Sequence, residues 1–344
     1  MGGDRQSGQG TEADLGAAAA PQRRGEAASS AGNGSTSESV SVSFVSVESS
    51  ETVMVRGNGA DGPGKSVGDA EPGSLPGSLG AAGVGGNGSS GVHLNMGVFM
   101  IPHPDKAHKG GEDAFFLCED CGGGAAGVAD GVGGWAEQGV DSGQYSRALC
   151  ENTRAACHGV QPELNSPKAA LKVAHAQTEG LGSSTACVLM MGADGTLHIA
   201  NLGDSGVMIV REGKPVFVTP QQQHDFNFPF QLGSEPFNDP PESADDFAVK
   251  VQPGDVVVAA TDGLWDNMYV DEVANLIADS RSRGHSPREA AREVATRAQV
   301  LAADDRYLSP FAYSALQLGY VFIGGKMDDI TVLVSYVEEG KAKL

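Results

Sequence analysis

Three apolar runs in this sequence close on an acid beside residues that turn the chain. Ala125–Ala129 is followed by Asp130-Gly131-Val132-Gly133-Gly134-Trp135. Asp255-Val256-Val257-Val258-Ala259-Ala260-Thr261 leads to Asp262-Gly263, and Lys326-Met327-Asp328-Asp329 runs directly into Ile330–Val337. A short run that is apolar throughout reads as a strand covered on both faces. An acid at its end stands where a rigid element meets a cleft, and the glycine beside it allows a sharp turn and a close backbone approach. Three such strand ends predict one acidic site assembled from distant parts of the chain. Asp-Gly pairs are also ordinary turn residues, so from spacing alone an acid cluster and a set of plain turns both remain open.

The acids offer only hard oxygen, with no His or Cys beside them, which points to magnesium or manganese rather than zinc. Carboxylates gathered without a cation would repel one another, so the cluster implies a bound metal or raised pKa values. The formal charge of −21 argues against nucleic acid or an anionic membrane surface as partner. No apolar run approaches the roughly 20 residues of a membrane span. Five cysteines do not suggest a disulfide framework, and a reducing compartment is the simpler expectation.

Residues 1–91 are rich in Gly, Ser and Ala and are expected to be a disordered tail, with Val40–Phe44 as one strand-like exception. The N-terminus has no secretory core and carries early acids, unlike a transit peptide. Residues 92–338 read as one globular domain and 339–344 as a short tail. Within the domain, strands are expected at Val98–Ile101, Ala114–Cys118, Ala125–Ala129, Ser184–Met191, Thr196–Leu202, Gly206–Arg211, Phe247–Val251, Val256–Thr261 and Ile330–Val337. Helices are expected at Val140–His158, Ser166–Glu179, Asp271–Ser282 and Ser286–Ala302. Residues 184–211 read as a β-meander. The polar stretch 219–244 is long for a connection and reads as a flap facing a substrate. Short turns between strands favour antiparallel sheets, and the order of elements predicts an α+β fold, an αββα sandwich of two antiparallel sheets flanked by helix pairs.

Six segments in this order, Gly110-Gly111-Glu112-Asp113, Ala129–Trp135, Gly182–Ala186, Asn201–Ser205, Thr261–Asn267 and Asp328-Asp329-Ile330-Thr331, resemble the motif series of metal-dependent 2C-type protein serine/threonine phosphatases. The resemblance covers about residues 92–337. It implies a centre of two Mn²⁺ or Mg²⁺ ions, with a third, weaker one, and hydrolysis of phosphoserine and phosphothreonine in proteins by a water bridging two metals. It further implies that Asp130 is the bridging ligand, that Gly131 gives a backbone carbonyl, and that Asp262 and Asp328 are the remaining carboxylate ligands. Glu112 and Asp113 match acids that hold metal-bound waters. Asp204 matches a ligand of the third ion, its other reading being a turn residue. Two positions depart from the family. Val132 replaces a His thought to protonate the leaving group, for which His224 is a candidate, a structural histidine being the other reading. His108 replaces an Arg that grips phosphate, and Lys109 is the candidate to supply the charge. These departures leave a second reading, a weak or dead phosphatase fold that binds phosphoproteins.

The segments Ile101–Lys106, Gly134–Asp141 and Phe226–Leu232 resemble a branch with mitochondrial and plastid members, most of all the plant plastid type that includes the photosystem II core phosphatase. This implies a chloroplast address, with mitochondrial or cytoplasmic as alternatives, and thylakoid phosphoproteins as substrates; separately, a monomer is expected, with the oligomeric state open from sequence. Cys118-Glu119-Asp120-Cys121 is a single CxxC pair with no second pair to complete a zinc site, and it reads as a redox-sensitive hairpin near the metal site.

Overall fold

The strands at the middle of the molecule are apolar on every residue because each separates two cores. Val256, Val258 and Ala260 pack with helices on one side, while Val257 and Ala259 meet the opposite sheet on the other. Alternation at period two thus gives both faces an apolar partner. The computed structural model describes residues 91–159 and 166–340. The expectations for the N-terminal tail, Val40–Phe44 included, and for the last four residues fall outside them.

The strands are β1 Val92–Ile101, β2 Asp113–Cys118, β3 Ala125–Asp130, β4 Ser183–Ser184, β5 Ala186–Met191, β6 Thr196–Leu202, β7 Gly206–Arg211, β8 Lys214–Val218, β9 Gln223–Asp225, β10 Phe228–Pro229, β11 Leu232–Gly233, β12 Asp245–Lys250, β13 Val256–Ala260 and β14 Ile330–Glu339. The helices are α1 Ser142–Gly159, α2 Pro167–Gln177, α3 Asp262–Trp265, α4 Val270–Ser282, α5 Pro287–Ala302 and α6 Pro310–Gln317. Two antiparallel five-stranded sheets run β1-β14-β13-β7-β8 and β12-β6-β5-β3-β2. Helices α4 and α5 cover the first sheet, and α1 and α2 cover the second. The αββα sandwich expected from the order of elements is the fold observed.

Three of these helices start at Ser-Pro. Ser166, Ser286 and Ser309 each accept the backbone N–H three residues on, and proline fills the first turn, where no amide is needed. The inner face of α5 is largely alanine, and it lies so close to β1 that a Cβ on Gly97 would stand 2.2 Å from Arg288 N.

The expected meander does not form. Strands β5 and β6 pair, but β7 pairs with β13 in the other sheet. Gly203, at φ 104°, turns the chain across the sandwich rather than back along it. This crossing carries Asp204 to the end where the other acids gather. Strand β8, the short pairs β9/β10 and β4/β11, and helix α6 were not anticipated.

Candidate metal centre

The acids converge because strands from both sheets end at the same edge of the sandwich. Asp130 closes β3 and is directly paired with Asp113, the first residue of β2. Asp262 opens α3 immediately after β13, and Asp328 precedes β14 by two residues. Asp204 lies in the bend between β6 and β7. Gly131 is backbone-bonded to Glu112 O at 3.1 Å, and a Cβ there would lie 2.8 Å from that oxygen. Gly263 is equally constrained, since a Cβ would stand 2.1 Å from Asp329 O.

Electrostatics follow from this crowding. Burial, then the charges of Asp262, Asp113 and Asp328, hold the Asp130 carboxyl well above its usual range. Asp204 is pushed up to about 7 by burial and by Asp262. Asp262 is also buried, yet the Lys326 ammonium pulls its pKa down. Lys326 Nζ contacts Asp262 Oδ2, Asp266 Oδ2 at 2.7 Å and Asp328 Oδ2 at 3.3 Å. Asp262 Oδ1 and Asp113 Oδ1 are buried without a hydrogen-bond partner among the described residues. Buried carboxylate oxygens crowded in this way, with one lysine as counter-charge, are a donor set that fits a hard divalent cation.

Neighbouring residues position the acids. Asp113 Oδ2 accepts hydroxyl protons from Thr261 at 2.8 Å and Thr331 at 2.7 Å, both on the opposite sheet. Asp329 is 2 % exposed, and its carboxylate accepts the backbone N–H groups of His103 at 2.7 Å and Glu112 at 2.9 Å. Those bonds tie the 102–112 loop to the start of β14. Asp328 is more open and lies in the field of Asp262. Burial raises the Glu112 pKa, but Lys106 at 2.6 Å and Lys109 at 2.8 Å outweigh it, and the net shift is downward.

Lys109 therefore reaches the cluster, through Glu112 and Asp141. His224 is held elsewhere. Its Nε2 lies 2.9 Å from the Asp239 carboxylate, and its ring stacks on Phe230 with centroids 4.0 Å apart. Its neighbour Gln223 points the other way along β9 and donates to Asp204 Oδ2 at 3.1 Å. The 219–244 segment thus forms one rim of the site. Val132 caps a 3-10 turn, Gly133–Gln138, and donates its N–H to Ser183 O at 3.0 Å.

Sequence reasoning missed Lys106, Asp266 and Lys326. Asp266 stands four residues after Asp262, on the same face of one helical turn, a spacing that was available. Lys326 stands two residues before Asp328, but a lone lysine ahead of a strand carries no signal.

Fold and site together define a class, a two-sheet sandwich with strand-end carboxylates gathered in one cleft. The family model described as Stage II sporulation protein E (SpoIIE) matches residues 122–337. Probable protein phosphatase 2C 55 of Arabidopsis thaliana is 47% identical over 254 residues, 73% of this chain and 54% of that protein. The protein phosphatase PTC7 homolog of Danio rerio is 39% identical over 243 residues, 67% of this chain and 82% of that one. The X-ray structure of the photosystem II phosphatase PBCP superposes with a TM-score of 0.67 at 37% identity, covering 72% of this chain and 99% of that chain. The chain belongs to the 2C-type protein phosphatase family. It spans about half the length of the first curated relatives it matches.

Proposed function

We propose that residues 92–338 form a metal-dependent protein serine/threonine phosphatase domain. The observation that carries this reading is the meeting of Asp130, Asp262 and Asp328 around unpartnered buried oxygen, with Lys326 among them as the counter-charge. Asp130, Gly131, Asp262 and Asp328 would hold two Mn²⁺ or Mg²⁺ ions, with Glu112 and Asp113 orienting their waters. Asp204, together with Asp262, would hold a weaker third. Bound there, divalent cations would supply activation of a water and neutralisation of charge on the phosphoryl oxygens. The chain's own part is to orient the phosphate and hold the carboxylates together, with the lysines keeping Asp262 and Glu112 ionised. Lys106 and Lys109 line the Glu112 side of the cluster and provide positive charge where the family has Arg. Lysine does so as a point charge, without the bidentate geometry of Arg. His224, fixed by Asp239, shapes the flap in this reading. The role of acid toward the leaving group would fall to a water. The photosystem II phosphatase likeness supports plastid phosphoproteins as substrates and a chloroplast address. The strong negative charge supports a protein rather than a nucleic-acid partner, and we assign the domain as a monomer.

The test is p-nitrophenyl phosphate turnover with Mn²⁺, with EDTA, and for Asp262→Asn in Mn²⁺. Turnover should need the metal and fall by about 100-fold or more in the variant. Persistence in EDTA, or an unaffected variant, would sink the assignment. A folded protein without turnover in any metal, but with phosphopeptide affinity, would establish the binding-module reading.

A further inference from the structure

At the end of the β2–β3 hairpin remote from the carboxylates, the chain brings together four side chains of another chemistry. Cys118 closes β2 and Cys121 follows in the turn, with a Cα–Cα distance of 5.5 Å and a disulfide between them. Asp120 lies in the same turn, and His158 projects from the last turn of α1. One donor atom from each lies within 4.8 Å of all the others. Cys118 Sγ stands 3.3 Å from His158 Nε2 and 3.4 Å from Asp120 Oδ1, and those two atoms are 3.6 Å apart.

Zinc bonds of about 2.3 Å to sulfur and about 2.0–2.2 Å to nitrogen and oxygen give tetrahedron edges of roughly 3.4–3.6 Å between unlike donors. The three distances above fall close to those edges. We propose that the reduced form of this corner binds one zinc ion through Cys118, Cys121, His158 and Asp120. The two ligands that the CxxC pair lacks along the chain come from its own turn and from α1.

Reduction by a dithiol or phosphine adds two electrons and two protons, breaks the Sγ–Sγ bond and gives two thiols. Zinc then releases both thiol protons to solvent and takes the neutral imidazole Nε2 and one carboxylate oxygen. Disulfide and zinc are alternative closures of the same corner. Thiolate and imidazole donors favour zinc over manganese or magnesium far more strongly than an all-oxygen centre does, and carboxylate donors also suit manganese and magnesium. The corner lies five residue steps from Asp113, about 16 Å along the strand. That distance corrects the expectation of a redox-sensitive hairpin close to the metal site. The zinc would pin α1 to the hairpin instead of touching the reaction centre.

The test uses the full chain, reduced with a phosphine and exchanged into metal-free buffer, with Co²⁺ as the optical probe and Zn²⁺ as competitor. One equivalent of Co²⁺ should give a thiolate-to-metal charge-transfer band and tetrahedral d–d bands, both bleached by one equivalent of Zn²⁺. The oxygen-donor centre produces no sulfur band, so its occupancy does not interfere. Cys118→Ser combined with Cys121→Ser should abolish the band, and His158→Ala, at an exposed position, should weaken affinity at least about 10-fold. No thiolate band in the reduced protein would overturn the proposal. So would a band that survives the double substitution, or His158→Ala with unchanged affinity.

Discussion

Lys106 contacts Glu112 Oε2 at 2.6 Å, Asp329 Oδ2 at 3.4 Å and Asp328 Oδ1 at 3.8 Å. One ammonium facing three carboxylates is outnumbered by them, and it would share its charge with a phosphate oxygen once bound cations take up the charge of those acids. Charge-assisted hydrogen bonds contribute about 1.5–3 kcal/mol. Lys106→Met should therefore lower kcat/KM for a phosphopeptide by roughly 10- to 100-fold, with Lys106→Arg restoring much of it. Steady-state kinetics decide the matter, and a Lys106→Met enzyme at wild-type efficiency would make the residue a purely structural tie. Chain spacing pointed to His108 and Lys109 because it counted back from Glu112. The 3-10 turn Pro104–Lys109 folds that segment on itself and brings Lys106, six positions earlier, to the same carboxylate. The carboxylates themselves were legible because each follows or precedes a run of buried apolar residues. The lysines were not, since their places depend on loop geometry.

Among the elements, the contact of β1 with α5 is a direct test of packing away from the acid cluster. A Cβ at Gly97 would lie 2.2 Å from Arg288 N and 2.6 Å from its Cα, both backbone atoms of a helix that cannot yield locally. Gly97→Ala should cost about 1–3 kcal/mol, the usual range for overpacking. Urea unfolding measures this directly, and an unchanged midpoint would show that α5 can shift without penalty. Strand periods and Ser-Pro helix starts were readable because they are local. Which sheet a strand joins was not. The Gly203-Asp204-Ser205 bend has the residues of a hairpin turn, yet it conducts the chain from one sheet to the other, and a glycine with positive φ serves either purpose. Strand β8 escaped for a related reason. Its turn, Glu212-Gly213, places both residues at positive φ, and glutamate there lacks the Asn-Gly signature of such hairpins.

Across the whole molecule, the acid cluster couples stability to metal and pH. Asp204 titrates near 7 in the metal-free fold against an ordinary 3.8, and burial raises Asp130 and Asp113 as well. A group whose folded pKa is raised contributes its full share below its unfolded pKa, and that share disappears as pH rises through the folded value. Asp262 and Glu112, shifted down by lysines, act in the opposite sense, but within the cluster they are outnumbered by Asp113, Asp130, Asp204, Asp266 and Asp328, and the other lowered acids are surface carboxylates in screened contacts. Metal-free protein should therefore lose Tm as pH rises from about 4 through 7 and beyond. Mn²⁺ at about 1,000 times its Kd should add about 4 kcal/mol and flatten that slope. Calorimetry in EDTA and in Mn²⁺ across this range is the check, and identical profiles in both would refute it.

Asp113 holds Thr261 and Thr331 across the gap between the layers with the same side chain that stands in the acid cluster. The acid cluster is therefore also a clasp between the two sheets. The two sheets cannot part at this end while the cluster stays assembled, and the cluster cannot loosen while the sheets stay joined. With the cluster as the centre proposed above, loss of activity on heating and the opening of the fold should begin at the same temperature.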